Sequence, residues 1–178
     1  MNNKIIIAGG YGVALIIILT TVLYNGWLSK SRDKAEVRIG FLGVSSCYKD
    51  TCRTRTLSRA KKSTRKMAST GLYVGIATII VLGMAIGTSI LSIKKPDLND
   101  KLKKARYSIL GMTILYPIIG VAFAMFVNED FRAKLDMGMN LYLSIIALGI
   151  AIGMLFVKIK DESAAGATPD LPPPPPPA

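Results

Sequence analysis

Charge is segregated along this chain more sharply than any other property, and that constrains the fold most. Four long apolar runs, residues 5–28, 67–93, 107–127 and 137–157, contain no Asp, Glu, Lys or Arg. Every charged residue lies between or beyond them. Each run reaches the roughly 20 residues that a helix needs to cross the hydrocarbon core of a bilayer. A charge at mid-bilayer costs at least ~2.5 kcal/mol on the insertion scale, so four cleared stretches predict four lipid-spanning helices. The 51% hydrophobic content would also fit a soluble domain, but not when it is collected in this way.

The first run starts close to the N-terminus, preceded only by Lys4. It is longer than the 7–15 apolar residues typical of a secretory signal core and ends in Tyr24, Asn25, Gly26 and Trp27. A retained signal anchor is expected. The fold class is therefore an all-α membrane protein, a four-helix transmembrane bundle over residues 1–160 with a small β-containing first loop, followed by a proline-rich tail over residues 161–178.

The loop at residues 29–66 is the one sizeable piece outside the spans. It holds twelve of the 23 Lys and Arg residues and both cysteines. Residues 35–44 alternate polar and apolar side chains and predict a short strand or hairpin; residues 57–66 read as helix leading into the second span. The next loop, 94–106, is short and basic, with Pro96 and Asp97 marking a turn. The third connection, 128–136, is short enough to make spans three and four an antiparallel hairpin. A net charge of +12 would suggest nucleic acid for a soluble domain. Beside membrane spans it serves topology and headgroup contact, and no aromatic stacking pattern of a nucleic-acid reader accompanies it.

Within the spans, Gly71, Gly75, Gly83 and Gly87 in the second and Gly149 and Gly153 in the fourth recur at four residues or multiples of four. Such small-residue faces let helix backbones approach, and internal seams of the bundle are expected there ahead of a dimer contact. Pro117, in the middle of the third span, removes a backbone hydrogen bond and predicts a kink.

Little in the chain supports catalysis. It has no His, its eleven acids are scattered over loops and tail, and Ser45, Ser46 and Cys47 have no base to activate them. No catalytic residue, cofactor or metal site is assigned, and a transporter is disfavoured by spans without a charged midplane site. Cys47 and Cys52 admit two readings: a disulfide stapling a small hairpin on an oxidising face, or two free thiols on a cytosolic one. The tail ends in six consecutive prolines, from Pro172 to Pro177. Such runs adopt polyproline II and suit the aromatic grooves of SH3, WW or EVH1 domains.

Taken together, Trp27 after the first span, Gly40-Phe41-Leu42 followed by Gly43, and then Cys47 and Cys52 resemble the loop signature of the claudin superfamily. That superfamily includes the claudins, the peripheral myelin protein and epithelial membrane protein group, and the calcium-channel gamma subunits. Ser63 to Met67 entering span two and Lys104 to Arg106 entering span three are similar to its junctions. The second Trp of the signature is missing, the cysteines are closer together than is typical, and the loop is somewhat short. The resemblance implies a disulfide between Cys47 and Cys52, cytosolic termini, an extracellular first loop, and a non-enzymatic plasma-membrane protein of cell junctions acting in adhesion, barrier formation or a paracellular pore. In a pore, Arg53 and Arg55 would favour anions.

Two rival readings stand beside it. One is an accessory subunit of a membrane channel complex, docking through the glycine faces. The other inverts the topology and lays the basic loop on anionic lipid, as the positive-inside rule prefers: loops one and three carry 14 Lys and Arg against nine on the other side.

Overall fold

A computed structural model describes residues 3–32, 35–49, 51–95, 99–131 and 135–157. The chain is a four-helix membrane bundle carrying a small antiparallel sheet. Its order is α1 (Asn3–Leu23), β1 (Leu28–Arg32), β2 (Ala35–Ile39), β3 (Val44–Tyr48), β4 (Thr51–Arg55), a 3₁₀ turn (Leu57–Arg59), α2 (Lys62–Lys94), α3 (Asn99–Phe131), β5 (Asp136–Met137) and α4 (Met139–Phe156). All four helices are long and apolar enough to cross a membrane.

Helix α1 packs between α2 and α4, and α3 closes the ring. Small or polar side chains such as Ala14, Thr78, Ala85, Ser144 and Ala147 turn inward, whereas Ile16, Ile80, Met84, Met125 and Ile145 are exposed on the outside. Larger apolar side chains such as Ile7, Ile18 and Leu82 are buried alongside the small ones, and the outer shell is apolar as well because its solvent is lipid, so close approach of backbones supplements side-chain packing. At 1.5 Å per residue, α1 and α4 match the bilayer core, while the 33 residues each of α2 and α3 reach about 50 Å and project beyond it.

Several sequence expectations shift at their edges. The first span ends at Leu23, not at residue 28; Tyr24, Asn25 and Gly26 turn the chain and Leu28 opens β1. Apolar character alone cannot tell a buried strand start from the end of a span. Met137 belongs to β5 and not to the fourth span. The helix expected over 57–66 is interrupted, because Ala60 and Lys61 are extended (ψ 155° at both) between the 3₁₀ turn and α2. Helix α3 continues through Pro117. Pro96, Asp97 and the whole proline-rich tail lie outside the described residues.

The sheet is ordered β4-β3-β2-β1-β5 and is larger than the expected hairpin. Strand β5 comes from the connection between α3 and α4, pairing Leu28 with Met137 and Ser29 with Asp136. The pairing extends inward, since the Gly138 amide donates to the Trp27 carbonyl (2.9 Å) and the Asn140 amide to the Gly26 carbonyl (2.9 Å). Both odd-numbered connections thus meet at one end of the bundle, opposite the start of α1 and the C-terminal end of α2.

Candidate functional site

The sheet sits on the bundle through an aromatic plug. The Trp27 ring lies 4.9 Å from Phe41 and 5.4 Å, edge on, from Tyr116; Phe41 lies 5.0 Å from Phe123. All four side chains are buried. Glycines make the room: a Cβ at Gly120 of α3 would collide with the Trp27 ring, and one at Gly71 of α2 with Phe41. The signature positions therefore act as anchors. Gly40 sits so close to Asn25 that a side chain there would strike it, and Gly40 and Gly43 exchange backbone hydrogen bonds in the corner between β2 and β3. Leu42 is different; it is 43% exposed at the tip of that corner.

A second set of contacts pins the helix ends. The Asn140 side chain, fully buried at the start of α4, donates to the carbonyls of Thr21 (2.8 Å) and Tyr24 (2.6 Å). The Tyr24 carbonyl also accepts the Gly26 amide (2.9 Å), so Asn140 adds a second bond there and ties the end of α1 to the start of α4 in a low-dielectric setting. At the far end of the bundle, Lys4 donates to the Ser92 carbonyl of α2 (2.6 Å), and Arg106 donates to the carbonyls of Met154 and Val157 at the end of α4. Cations placed against helix C-termini complement their partial negative charge.

Register divides the sheet into two chemically distinct faces. One carries Leu28, Ile39, Val44 and Arg55 in the row nearest the bundle, and Val37, Ser46 and Arg53 in the next. Exposure grades along the first row, from fully buried Leu28 to exposed Arg55. The other face carries Ser29, Arg38, Ser45 and Thr54, then Glu36, Cys47 and Cys52. There Glu36 and Arg38 form an ion pair at 2.6 Å.

Cys47 and Cys52 are directly opposite each other across β3 and β4 and form a disulfide. It closes the hairpin whose turn begins at Lys49, a residue with φ of 52°, in the left-handed region that Gly or Asn takes more readily. Strand β4 is exposed along its whole length, Arg53 and Arg55 included, and forms the free edge of the sheet. On the Arg53 face, Val37, Ser46, Tyr48 and Lys49 line an open depression of about 570 Å³.

The six packing glycines separate into two groups. Gly71 and Gly75 are tight contacts, the latter against Val22 and Tyr116. Gly83, Gly87, Gly149 and Gly153 have nothing within 4 Å of where a Cβ would lie, so the internal seam expected there is corrected to an outward-facing strip. The small residues that do admit a neighbour but were missed are Gly120, Gly138 and Gly10, the last against Met154. Gly10 and Gly138 have no four-residue repeat with another tight glycine, and Gly120 stands nine residues from Gly111, the other glycine of its span, so four-residue spacing could not flag them. Asn140 was missed because one polar residue does not interrupt an apolar run. Among the described residues, no three His, Cys, Asp or Glu side chains gather in one place. No protein-family model and no curated protein matches the chain.

Proposed function

We propose that the chain is a non-enzymatic, claudin-like multi-pass protein of the plasma membrane, acting at cell junctions in adhesion, barrier formation or a paracellular pore. The observation that carries this reading is a disulfide-closed sheet built from both odd-numbered connections and held rigidly on one end of a four-span bundle. A disulfide in an exposed hairpin favours an oxidising compartment, hence an outward-facing sheet and cytosolic termini. The prolines from Pro172 to Pro177 would then be available to an SH3, WW or EVH1 domain. Arg53 and Arg55, exposed on the free edge, would give a pore lined by β4 a preference for anions. In a cell layer expressing Arg53→Glu/Arg55→Glu, anion preference should fall or reverse; unchanged selectivity would remove the pore.

A second reading is an accessory subunit of a membrane complex. It is favoured by the open strips at Gly83 and Gly87 and at Gly149 and Gly153, where a partner's helix can approach closely. Gly83→Leu/Gly87→Leu should then weaken co-purification with that partner while leaving the purified chain as stable as before.

A further inference from the structure

Between the end of β4 and the start of α2 lies a second depression, of about 560 Å³, lined by Arg55, Thr56, Leu57, Ser58 and Arg59. Arg55, Thr56, Ser58 and Arg59 are exposed, whereas Leu57 is buried, so the hollow has a cationic, hydroxyl-bearing rim. Directly beyond it, Lys61, Lys62, Arg65 and Lys66 are also exposed. No Asp or Glu occurs anywhere from Thr51 to Lys95. The acid that packs here from α3, Asp130, is engaged in accepting the Lys61 backbone amide (2.7 Å).

The first turn of α2 contributes no acid of its own and Lys61 at its N-cap makes no side-chain cap; the Asp130 carboxylate on the Lys61 amide offsets part of the positive charge at this helix end. Thr64, one turn beyond Ala60, is fully buried and its hydroxyl has no partner among the described residues. Height matters as well. The charge-free stretch of α2 begins at Met67, and exposed Tyr73 lies below it at a position suited to the aromatic belt of a bilayer surface. The cations from Arg55 to Lys66 therefore fall just outside the charge-free stretch, on the side where a headgroup would lie.

We propose that this hollow and the cationic collar around it form a phospholipid site, in which Arg55, Arg59 and the α2 collar hold the phosphate of a headgroup whose acyl chains run down the exposed face of α2. Guanidinium groups pair with phosphate in a fork geometry, and lysines supply point charges around it. The site is independent of any junctional role and of which leaflet the sheet faces.

The test uses the purified full chain in a non-ionic detergent, titrated with dioctanoyl phosphatidylglycerol, with dioctanoylglycerol lacking the phosphate, and with inorganic phosphate, each read by native mass spectrometry and thermal shift. The phosphorylated lipid should bind and raise the unfolding midpoint, with affinity falling as salt rises. Arg59→Gln/Lys62→Gln/Arg65→Gln should weaken it at least about tenfold. Lys101→Gln/Lys104→Gln, at the opposite end, should not. Equal binding by wild type and the triple variant overturns the proposal, as does equal loss in the opposite-end variant. Protection by inorganic phosphate as strong as by the lipid would make it a free-anion site and overturn the lipid assignment. Should the triple variant fail to fold, Arg59→Gln alone serves, with about a twofold or greater weakening expected. These variants leave Arg53 and Arg55 unchanged, so failure here says nothing of ion selectivity.

Discussion

Trp27 is enclosed by Phe41, Tyr116 and the bare backbone of Gly120, so its ring has no alternative placement. Trp27→Ala should cost about 3–5 kcal/mol, the range for emptying a large aromatic site. Thermal unfolding in detergent measures it, and Leu42→Ala on the exposed corner should shift the midpoint negligibly by comparison. Asn140 works by hydrogen bonding instead. Asn140→Ala removes the bond to the Thr21 carbonyl and one of the two to the Tyr24 carbonyl, which keeps the Gly26 amide, and should cost about 1–3 kcal/mol, with faster amide exchange confined first to the end of α1. Legibility differs between these two residues for a physical reason. Trp27 and Phe41 stand out in sequence because they fall on the loop signature that the chain resembles. Asn140 does not, because the partners that give it meaning are carbonyls more than a hundred residues away.

Among the elements, helices were readable and the sheet only partly so. Exclusion of charge is a property of each span by itself, so the four spans appear in the sequence with errors of a few residues. Pairing of β5 with β1 depends on two residues, Asp136 and Met137, whose composition carries no strand signal. Glycine spacing likewise marks faces without saying what lies against them. Gly71→Leu, facing Phe41, should lower the unfolding midpoint strongly, whereas Gly83→Leu should leave it almost unchanged; similar losses in both would mean that the α2 strip is packed after all. In the hairpin, removing the disulfide by Cys47→Ser/Cys52→Ser releases a loop of six residues and should cost ~2 kcal/mol. Hydrogen exchange should rise in β3 and β4 while the helices stay protected.

The whole molecule is electrically lopsided, with 14 of its 23 Lys and Arg residues in the two connections at the sheet end. Positive-inside bias pulls that end toward the cytosol, and a disulfide pulls it toward the oxidising side. An impermeant thiol reagent applied to intact cells separates the two. The proposed orientation requires labelling of Cys47 and Cys52 only after mild reduction from outside; labelling that needs permeabilisation would invert the molecule. High salt should leave the bundle intact, since its buried cations, Lys4 and Arg106, are bonded to carbonyls and poorly screened.

The join between β1 and β5 also sets a clock during biosynthesis. Leu28 is made roughly a hundred residues before Met137, an interval of about 5–20 s at ordinary rates of translation. The β3–β4 hairpin and its disulfide can form early from neighbouring residues. The edge of β1 must wait, open, until α3 has crossed back and brought Asp136 and Met137 beside it. Final closure of the sheet thus reports on insertion of α3, and a nascent chain stalled before α3 would present an unfilled strand edge to quality control.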